Sequence, residues 1–163
     1  MASLSITVDV GGLDATVAVL DRLRALDPGR LMTNIAAIGE SQTRRRITSE
    51  KTAPDGTAWP PNVEGTPTLK RTGRNLLDSV SSDATADQAR WGADWEFASI
   101  HQEGAVIRAK DAKALMFTVQ GKTVAVGAVT IPARPFVGLS NANRREIERL
   151  VTDHLGRLLG GAS

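Results

Sequence analysis

The side chains of this sequence that are best suited to acid–base or metal chemistry are its two histidines, His101 and His154. His101 lies in Ile100-His-Gln-Glu-Gly104, where His101 and Glu103 can share a metal ion if both lie on one extended face. A structural hydrogen bond is the alternative for His101, and we favour it. His154 lies beside the apolar stripe of a C-terminal helical pattern, which favours a packing role. Neither histidine belongs to HExxH or to another closely spaced ligand set.

The sequence also lacks the common motifs of nucleophilic and nucleotide-dependent catalysis. It has no cysteine, and therefore no thiolate ligand and no cysteine nucleophile. It has no GxSxG elbow and no glycine-rich phosphate loop. Asp83 and Asp87 are an imaginable acid pair, but two aspartates in a polar turn are usually hydrated surface groups. We therefore expect no enzyme activity and no bound cofactor or metal ion.

Three consecutive arginines, Arg44-Arg45-Arg46, are the strongest candidate for binding an anion. Successive helical residues point about 100° apart, so these three side chains cannot form one basic stripe. A phosphate site would need further cations, which stand at Lys51, Arg71 and Arg74. The alternative is a hydrated helix end, where the C-terminal dipole favours cations. We favour that alternative and keep the three arginines as candidate interface residues.

Length and composition limit the classes of protein that have to be considered. The 163 residues suit one domain over 1–163, and 41% hydrophobic residues with only 4% aromatic residues indicate an aliphatic core. Lys and Arg number 20 against 18 Asp and Glu, whereas a dedicated nucleic-acid binder usually carries a larger surplus. No apolar run approaches the ~20 residues of a membrane span, and the N-terminus lacks the features of a secretory signal. The absence of cysteine suits a reducing, intracellular place of folding.

The apolar periodicity predicts a strand followed by two helices. Residues 4–10 alternate between apolar and polar side chains, which is typical of a half-buried strand. Apolar residues at helical spacing predict a helix over 13–26, with Asp14 placed to cap it. Asp27-Pro28-Gly29 ends that helix, and its proline can begin the next one, which is expected to run to residue 50 or 51.

Residues 52–68 are expected to form an exposed arm or loop. Pro54-Asp55-Gly56 is a strong turn signal, because proline presets one turn dihedral and glycine supplies a positive one. Trp59-Pro60-Pro61 must be extended, since proline disfavours the helical conformation in the residue before it. The segment is too polar for a core, so we expect a chain without 54–66 to fold.

The second half predicts mostly strands and then a final helix. The expected elements are a short helix from Thr72-Gly73, a hairpin that includes 88–92, a helical turn within 95–102, strands at 114–119, 123–126 and 129–131, and a final helix that ends at Gly160-Gly161. The second strand pair is connected by Gln-Gly-Lys, with glycine where a hairpin needs it, and Ser140 or Asn141 caps the final helix. This order indicates an α+β fold in which an antiparallel sheet packs against N-terminal helices and a C-terminal helix.

Five segments, taken together and in this order, resemble one family of proteins. They are Arg44 to Ile47, Pro54-Asp55-Gly56 with Trp59, Leu69-Lys-Arg-Thr72-Gly73-Arg-Asn-Leu76 with Ser79-Val80, Phe97-Ala-Ser-Ile-His101-Gln102-Glu-Gly104, and Ile131-Pro132-Ala-Arg134-Pro135-Phe136-Val-Gly-Leu139. The family is that of the phage virion morphogenesis, or tail-completion, proteins of Mu-like and related tailed phages. The resemblance covers about residues 40–155.

The last two segments are the most specific part of the resemblance. Pro-Asp-Gly and Thr-Gly occur in many turns, whereas His-Gln-x-Gly followed about thirty residues later by Ile-Pro-Ala-Arg-Pro-Phe is a distinctive combination. Phe97 departs from the tyrosine that is usual in the family, so a hydrogen bond from that hydroxyl is missing here. The section from Val106 to Thr130 is also similar to the head–tail connector proteins of siphophages.

The resemblance implies a non-enzymatic structural protein that is added during virion assembly. Such proteins act at the head-proximal end of the tail or at the neck, where a finished tail joins a filled capsid. Because tails have six-fold symmetry, a hexameric ring is the expected working form, with tail-terminator, tail-tube or neck proteins as neighbours. The expected location is the virion, after synthesis in the cytoplasm of the bacterial host. The alternative is a nucleic-acid-binding protein that uses an arginine-rich surface, although we do not expect direct binding of nucleic acid or membrane.

The assembly role makes three groups of residues candidates for contacts between subunits. Trp59 and its flanking prolines suit an interface, since tryptophan is enriched at binding hot spots; packing of Trp59 on its own domain is the equal alternative. Deletion of 54–66 is then expected to prevent ring formation. Arg108, Lys110 and Lys113 are expected in a mobile loop that faces the lumen of a ring or the next ring.

The segment 131–139 is expected to be a stiff connector from the sheet to the final helix, because Pro132 and Pro135 fix their own backbone angles. We expect Phe136 to be buried against the final helix. Arg134 is expected to reach a carboxylate or a neighbouring subunit, and a role in holding its own domain is the equal alternative.

Overall fold

The computed structural model describes residues 11–24, 26–69, 73–110 and 112–160. The expected strand at 4–10 lies outside the described residues, as does Thr72.

Two helices, α1 (Gly11–Arg24) and α2 (Pro28–Arg45), begin the described chain. The first helix already contains Asp14, which therefore does not lie at its N-cap as expected. The second helix is capped by Asp27, whose Oδ1 accepts a hydrogen bond from the backbone N–H of Arg30 at 3.0 Å. Pro28 occupies the first turn of α2, where its missing N–H costs nothing.

The end of α2 differs from a regular helix. The chain continues from α2 into a π-helical turn, Arg46–Glu50, which is terminated by Lys51 in the left-handed conformation with φ of 58°. The expected helix end at residue 50 or 51 is therefore confirmed, although the last turn is wider than an α-helical one. Arg46 and Ile47, the first residues of this turn, are both buried.

A short helix and a hairpin pack on α2. The helix α3 (Gly73–Asp78) leads into β1 (Val80–Ala84), which pairs antiparallel with β2 (Ala89–Ala93), and both strands contact α2. Trp91 of β2 lies directly on the helix at Gly39, where an added Cβ would be 2.2 Å from a ring carbon of the indole. A larger residue at position 39 would therefore force the hairpin away from α2.

The other four described strands form two antiparallel pairs. After α4 (Ala98–Glu103), the strand β3 (Ala105–Arg108) pairs with β6 (Ala128–Ile131), and β4 (Leu115–Val119) pairs with β5 (Lys122–Val126), both antiparallel. Gln120 and Gly121 join β4 to β5 with φ of 49° and 76°, as expected for a type I′ two-residue hairpin turn. The turn is thus one residue shorter than predicted, and β3 was not predicted.

The final helix, α5 (Asn141–Gly160), packs against α2 and α1. Its start is a reciprocal cap. The hydroxyl of Ser140 accepts from the backbone N–H of Asn143 at 3.1 Å, and Oδ1 of Asn143 accepts from the N–H of Ser140 at 3.2 Å. The prediction of Ser140 as a capping residue is confirmed.

The main apolar core is small and lies where the middle of the chain meets α2 and the 131–139 segment. Its buried members are Ile47, Ala53, Trp59, Leu69, Leu76, Val80, Ala98 and Phe136. The α+β class is confirmed. Among the described residues the strands form three two-stranded sheets, β1–β2, β3–β6 and β4–β5, instead of the one sheet that was expected.

Candidate functional site

The two most specific sequence motifs meet in space at one place, which we call the motif junction: His101, Gln102 and Gly104 together with the segment 131–138. Gln102 makes the central contact. Its Oε1 accepts from the backbone N–H groups of Phe136 at 3.0 Å and Val137 at 3.1 Å, and its Nε2 donates to the carbonyl of Val137 at 3.1 Å. One side chain therefore satisfies three backbone groups of a segment that has no strand partner at that point.

Gly104 allows the backbones of the two motifs to approach closely. It has φ of 77°, a conformation that is costly for other residues. An added Cβ would lie 2.8 Å from the backbone nitrogen of Ala133 and 2.9 Å from the carbonyl oxygen of Ile131. The N–H of Arg134 donates to the carbonyl of His101 at 2.7 Å beside it. Glycine is therefore required here by both conformation and space.

The junction also holds the 52–68 segment against the body of the chain. The guanidinium of Arg134 donates to the carbonyls of Pro60 at 2.9 Å and Pro61 at 3.1 Å, and Nε1 of Trp59 donates to the carbonyl of Pro135 at 3.0 Å. The side chains of Arg134 and Trp59 are buried, only 5% and 7% exposed. Each of the two segments therefore donates side-chain hydrogen bonds to backbone carbonyls of the other.

For Trp59 and Arg134 the single chain supports the alternative of a role within the domain. Trp59 is a buried member of the core. Arg134 pairs with no carboxylate among the described residues and holds its own domain through the carbonyls of Pro60 and Pro61. Deletion of 54–66 would remove Trp59 from the core, so the structure leads us to expect that a chain without this segment is destabilised.

Pro54-Asp55-Gly56 does form the predicted turn. Gly56 has φ of 90°, and its N–H donates to the carbonyl of Ala53 at 2.9 Å. The Asp55 carboxylate accepts from the backbone N–H of Thr57 at 2.9 Å, and this hydrogen bond lowers the pKa of Asp55 below its ordinary value. The turn folds the exposed part of 52–68 back toward Trp59.

Arg46 joins the motif junction to the π-helical turn and to α5. One terminal nitrogen of its guanidinium donates to the carbonyls of Phe136 at 2.9 Å and Gly138 at 3.3 Å, and the other donates to Oδ1 of Asn143 at 2.8 Å. The side chain is 1% exposed, and burial lowers the pKa of Arg46 from its usual value. The expected hydrated helix end does not describe this residue.

The other two arginines of the triplet point elsewhere. Arg44 donates to the carbonyls of Leu77 and Val80 and pairs with Glu40 at 2.9 Å, whereas Arg45 pairs with Glu50 at 2.6 Å near the surface. The predicted divergence of the three side chains is thus observed. These three side chains form no joint basic surface. Arg71 and the side chain of Arg74 lie outside the described part of the chain, so the nucleic-acid alternative stays an untested prediction.

Phe136 is 1% exposed, as predicted, but its surroundings differ from the expectation. The cluster of buried apolar residues that contains Phe136 has no member from α5. The other members of the cluster come from the π-helical turn, the 52–69 segment, α3, β1 and α4. The prolines on either side, Pro132 and Pro135, are half-buried, and the segment runs without regular secondary structure as a connector to α5.

His101 is half-buried and packs within its own chain. Its ring stacks on Trp95 with centroids 5.6 Å apart and an interplanar angle of 15°. Burial, together with the charge of Arg134, lowers the pKa of His101 below its ordinary value. Glu103 is exposed, and within the described ranges no three His, Cys, Asp or Glu side chains are grouped to hold a metal ion. His154 is half-buried on α5 with its Nε2 shielded from solvent.

Arg108, Lys110 and Lys113 are all exposed. Arg108 is the last residue of β3, and the two lysines lie in the connection from β3 to β4. None of the three forms an ion pair with another described residue. They remain candidates for contact with a partner.

A small α+β protein whose distinctive motifs bind one another, and whose arginines hold backbone carbonyls, has the character of a structural subunit. The family comparison agrees with that class. The model of the phage virion morphogenesis family matches residues 9–156, nearly the whole chain, and the chain belongs to this family. It is accordingly a virion-assembly protein of a bacteriophage. No curated protein and no solved structure matches the chain significantly.

None of the described helices has a stretch that is both long enough and apolar enough to cross a bilayer.

Proposed function

We propose that this chain is a non-enzymatic subunit that completes the head-proximal end of a phage tail, or the neck, and so allows the tail to join a filled head. Its working form is a homo-oligomeric ring, hexameric to match the symmetry of the tail. Its neighbours are tail-terminator, tail-tube or neck proteins. Its place is the mature virion, after synthesis in the host cytoplasm.

The observation that carries the proposal is that the two most specific family motifs contact each other within the chain. His101, Gln102 and Gly104 contact 131–138 through backbone hydrogen bonds and close approach, so the most distinctive residues of the family serve to hold a shape. A motif that fixes a shape suits a subunit whose task is to present surfaces to its neighbours. The exposed apolar and charged residues beyond the junction are available for that purpose.

A genetic complementation experiment tests the proposal. The phage or prophage gene for this chain is inactivated, the protein is supplied from a plasmid, and particles are examined by electron microscopy. We expect particles made without the protein to be filled heads beside free tails, and joined virions when the wild-type protein is supplied. Normal virion yield without the protein would contradict the proposal. Empty heads with no tails at all would move the function to an earlier step.

A matched pair of variants separates an effect on the folding of the chain from an effect on the joining of tail and head. The Gln102→Leu variant is expected to lower the level of folded protein and the virion yield together, whereas Ser99→Ala, at an exposed position of the same helix, is expected to leave both unchanged. Reduced virion yield with a normally folded Gln102→Leu protein would instead show that Gln102 touches a partner.

A further inference from the structure

Two of the three sheets have no buried residue. We call β3, β4, β5 and β6 together the ribbon, since β5 and β6 follow one another through Gly127 and the N–H of Ala109 bonds to the carbonyl of Gly127 between the two ladders. Every described residue of these strands is half-buried or exposed. An isolated two-stranded sheet is only marginally stable in water, so the ribbon lacks the cover that would normally stabilise it.

The β4–β5 part of the ribbon is amphipathic. The register places Leu115 opposite Val126 and Phe117 opposite Val124, and because side chains alternate along a strand these residues share one face with Val119. This face is wholly apolar apart from Lys122 at its end. Phe117 remains 38% exposed, and on the opposite face Met116 is 72% exposed. Such a face is expected to be covered in the working form of the protein.

Cations border the ribbon. The four described basic side chains of residues 104–128 are all exposed, and none has an ion-pair partner among the described residues: Arg108, Lys110, Lys113 and Lys122. A partner for this surface therefore has apolar groups at its centre and carboxylates around them.

The same chain carries a surface of that kind. Residues 78–103 contain six carboxylates against one arginine, and all six are exposed without an ion pair in the described chain: Asp78, Asp83, Asp87, Asp94, Glu96 and Glu103. Asp94 and Glu96 flank Trp95 in the chain, and Glu103 lies on α4, whose His101 stacks on Trp95. The rings of Trp95 and Phe97 meet edge to face at 5.3 Å, and Phe97 is 44% exposed. We call Asp94, Trp95, Glu96, Phe97 and Glu103 the acidic surface.

We propose that the ribbon of one copy binds the acidic surface of a second copy. The aromatic pair would cover apolar ribbon residues, while the basic residues of the ribbon pair with the surrounding carboxylates. Because two different surfaces meet, the contact is head-to-tail and repeats from copy to copy, which generates a ring when the rotation closes. The inference rests on the proposed function in one respect, that the chain works as an oligomer.

Charge reversal in two complementary variants tests this pairing. The first variant carries Arg108→Glu, Lys110→Glu and Lys113→Glu, and the second carries Asp94→Lys, Glu96→Lys and Glu103→Lys. A control with Arg144→Glu, Arg145→Glu and Arg157→Glu lowers the net charge as much as the first variant does, on exposed positions of α5. Each full-length protein is checked for an unchanged thermal midpoint and is then measured by sedimentation velocity over a range of concentrations.

We expect the wild type and the control to associate alike, and each reversed variant alone to associate about 10–100-fold more weakly, since three attractive peripheral charge pairs are replaced by repulsion. An equimolar mixture of the two reversed variants should regain the wild-type association, because each ribbon then meets a surface of opposite charge. Raising the salt concentration should weaken both the wild-type and the mixed assembly.

Three results would overturn the inference: a mixture that does not regain association, a control that weakens it equally, or a wild-type chain that stays monomeric at every concentration. A ribbon occupied by a different virion protein would give the last of these results. None of them touches the proposed role in tail completion, which fails separately if particles without the protein are normal. A monomeric chain that virions nevertheless require would leave that role standing, and it would remove both the self-pairing and the support for a ring of this chain alone.

Discussion

Replacing Gln102 by leucine removes the side chain that joins the two family motifs while keeping a similar volume. In the structure, the amide of Gln102 forms three hydrogen bonds with Phe136 and Val137, at 3.0, 3.1 and 3.1 Å. Leucine can form none of them, and the two backbone N–H groups have no alternative acceptor within their own segment. Gln102→Leu therefore tests whether the motif junction is a major source of stability.

The expected cost follows from the number and burial of these bonds. A hydrogen bond contributes about 0.5–1.5 kcal/mol net, and a buried donor left without a partner costs about 1–3 kcal/mol. Phe136 is buried, whereas Val137 and Gln102 are half-buried, so water can reach part of the site. We expect Gln102→Leu to lower the free energy of unfolding by about 2–4 kcal/mol. For a chain of this length that corresponds to a fall in Tm of roughly 5–15 °C.

Urea and thermal unfolding, followed by circular dichroism, measure this loss. Ser99→Ala is the matched control, because it changes an exposed side chain of the same helix for which we expect less than about 0.5 kcal/mol. A Gln102→Leu protein as stable as the wild type would refute the role of the junction. An equal loss in both variants would show that α4 itself, and not the contact with 131–138, is sensitive to substitution.

Three further predictions concern neighbouring positions. Gly104→Ala should lower the free energy of unfolding, measured by thermal unfolding, by at least about 1–3 kcal/mol, since it adds strain at positive φ and a close backbone contact. Gly127→Ala, with open space around it, should be nearly neutral, and equal losses in the two variants would contradict the reasoning. Arg46→Met should lower stability by about 2–4 kcal/mol by urea unfolding, because buried carbonyls lose their donor, while Arg45→Met should change it by less than about 1 kcal/mol. Because the pKa of His101 is lowered in the folded state, the unfolded state binds a proton at this residue more readily. The free energy of unfolding should therefore fall as pH decreases below about 6.5. This pH dependence should shrink in His101→Phe, and an unchanged pH profile in that variant would exclude His101 as its source.

Local patterns in the sequence predicted those elements whose signals are local. Asp27-Pro28 predicts the second helix because it supplies both a break and a first turn, and Ser140 or Asn141 before apolar residues at helical spacing predicts the final helix. The β4–β5 hairpin followed from apolar runs on either side of a glycine. In each case the residues that decide the structure are within a few positions of one another.

The contacts of the motif junction depend on residues that are distant in sequence. Arg46 was expected at a hydrated helix end, and its burial depends on carbonyls and an amide that lie about 90 positions further along the chain. Trp59 and Arg134 were given equal alternatives because either side chain suits an interface as well as a core. The short strand β3 was missed because its four residues, Ala105–Arg108, show no clear alternation. Pairing with β6 defines it, and that pairing is not a local property.

The candidate site was predicted in part. The sequence identified His101, Gln102, Gly104 and the 131–136 segment as distinctive, but it did not indicate that these residues contact one another. The types of His101 and Gln102 alone are compatible with catalysis, binding or internal support, and geometry separates these possibilities. Asn143, which accepts a hydrogen bond from Arg46 and completes the α5 cap, was not singled out at all. Its position three residues after Ser140 was the available signal.

The location of the protein in finished particles tests the central claim most directly. An affinity-tagged chain is supplied in complementation, virions are purified away from unassembled protein, and the tag is located by gold labelling and electron microscopy. The account predicts that the tag is retained in the virions and that the label lies at the junction of tail and head. Purified, infectious virions that contain no tagged protein, or a label at the distal end of the tail, would contradict it.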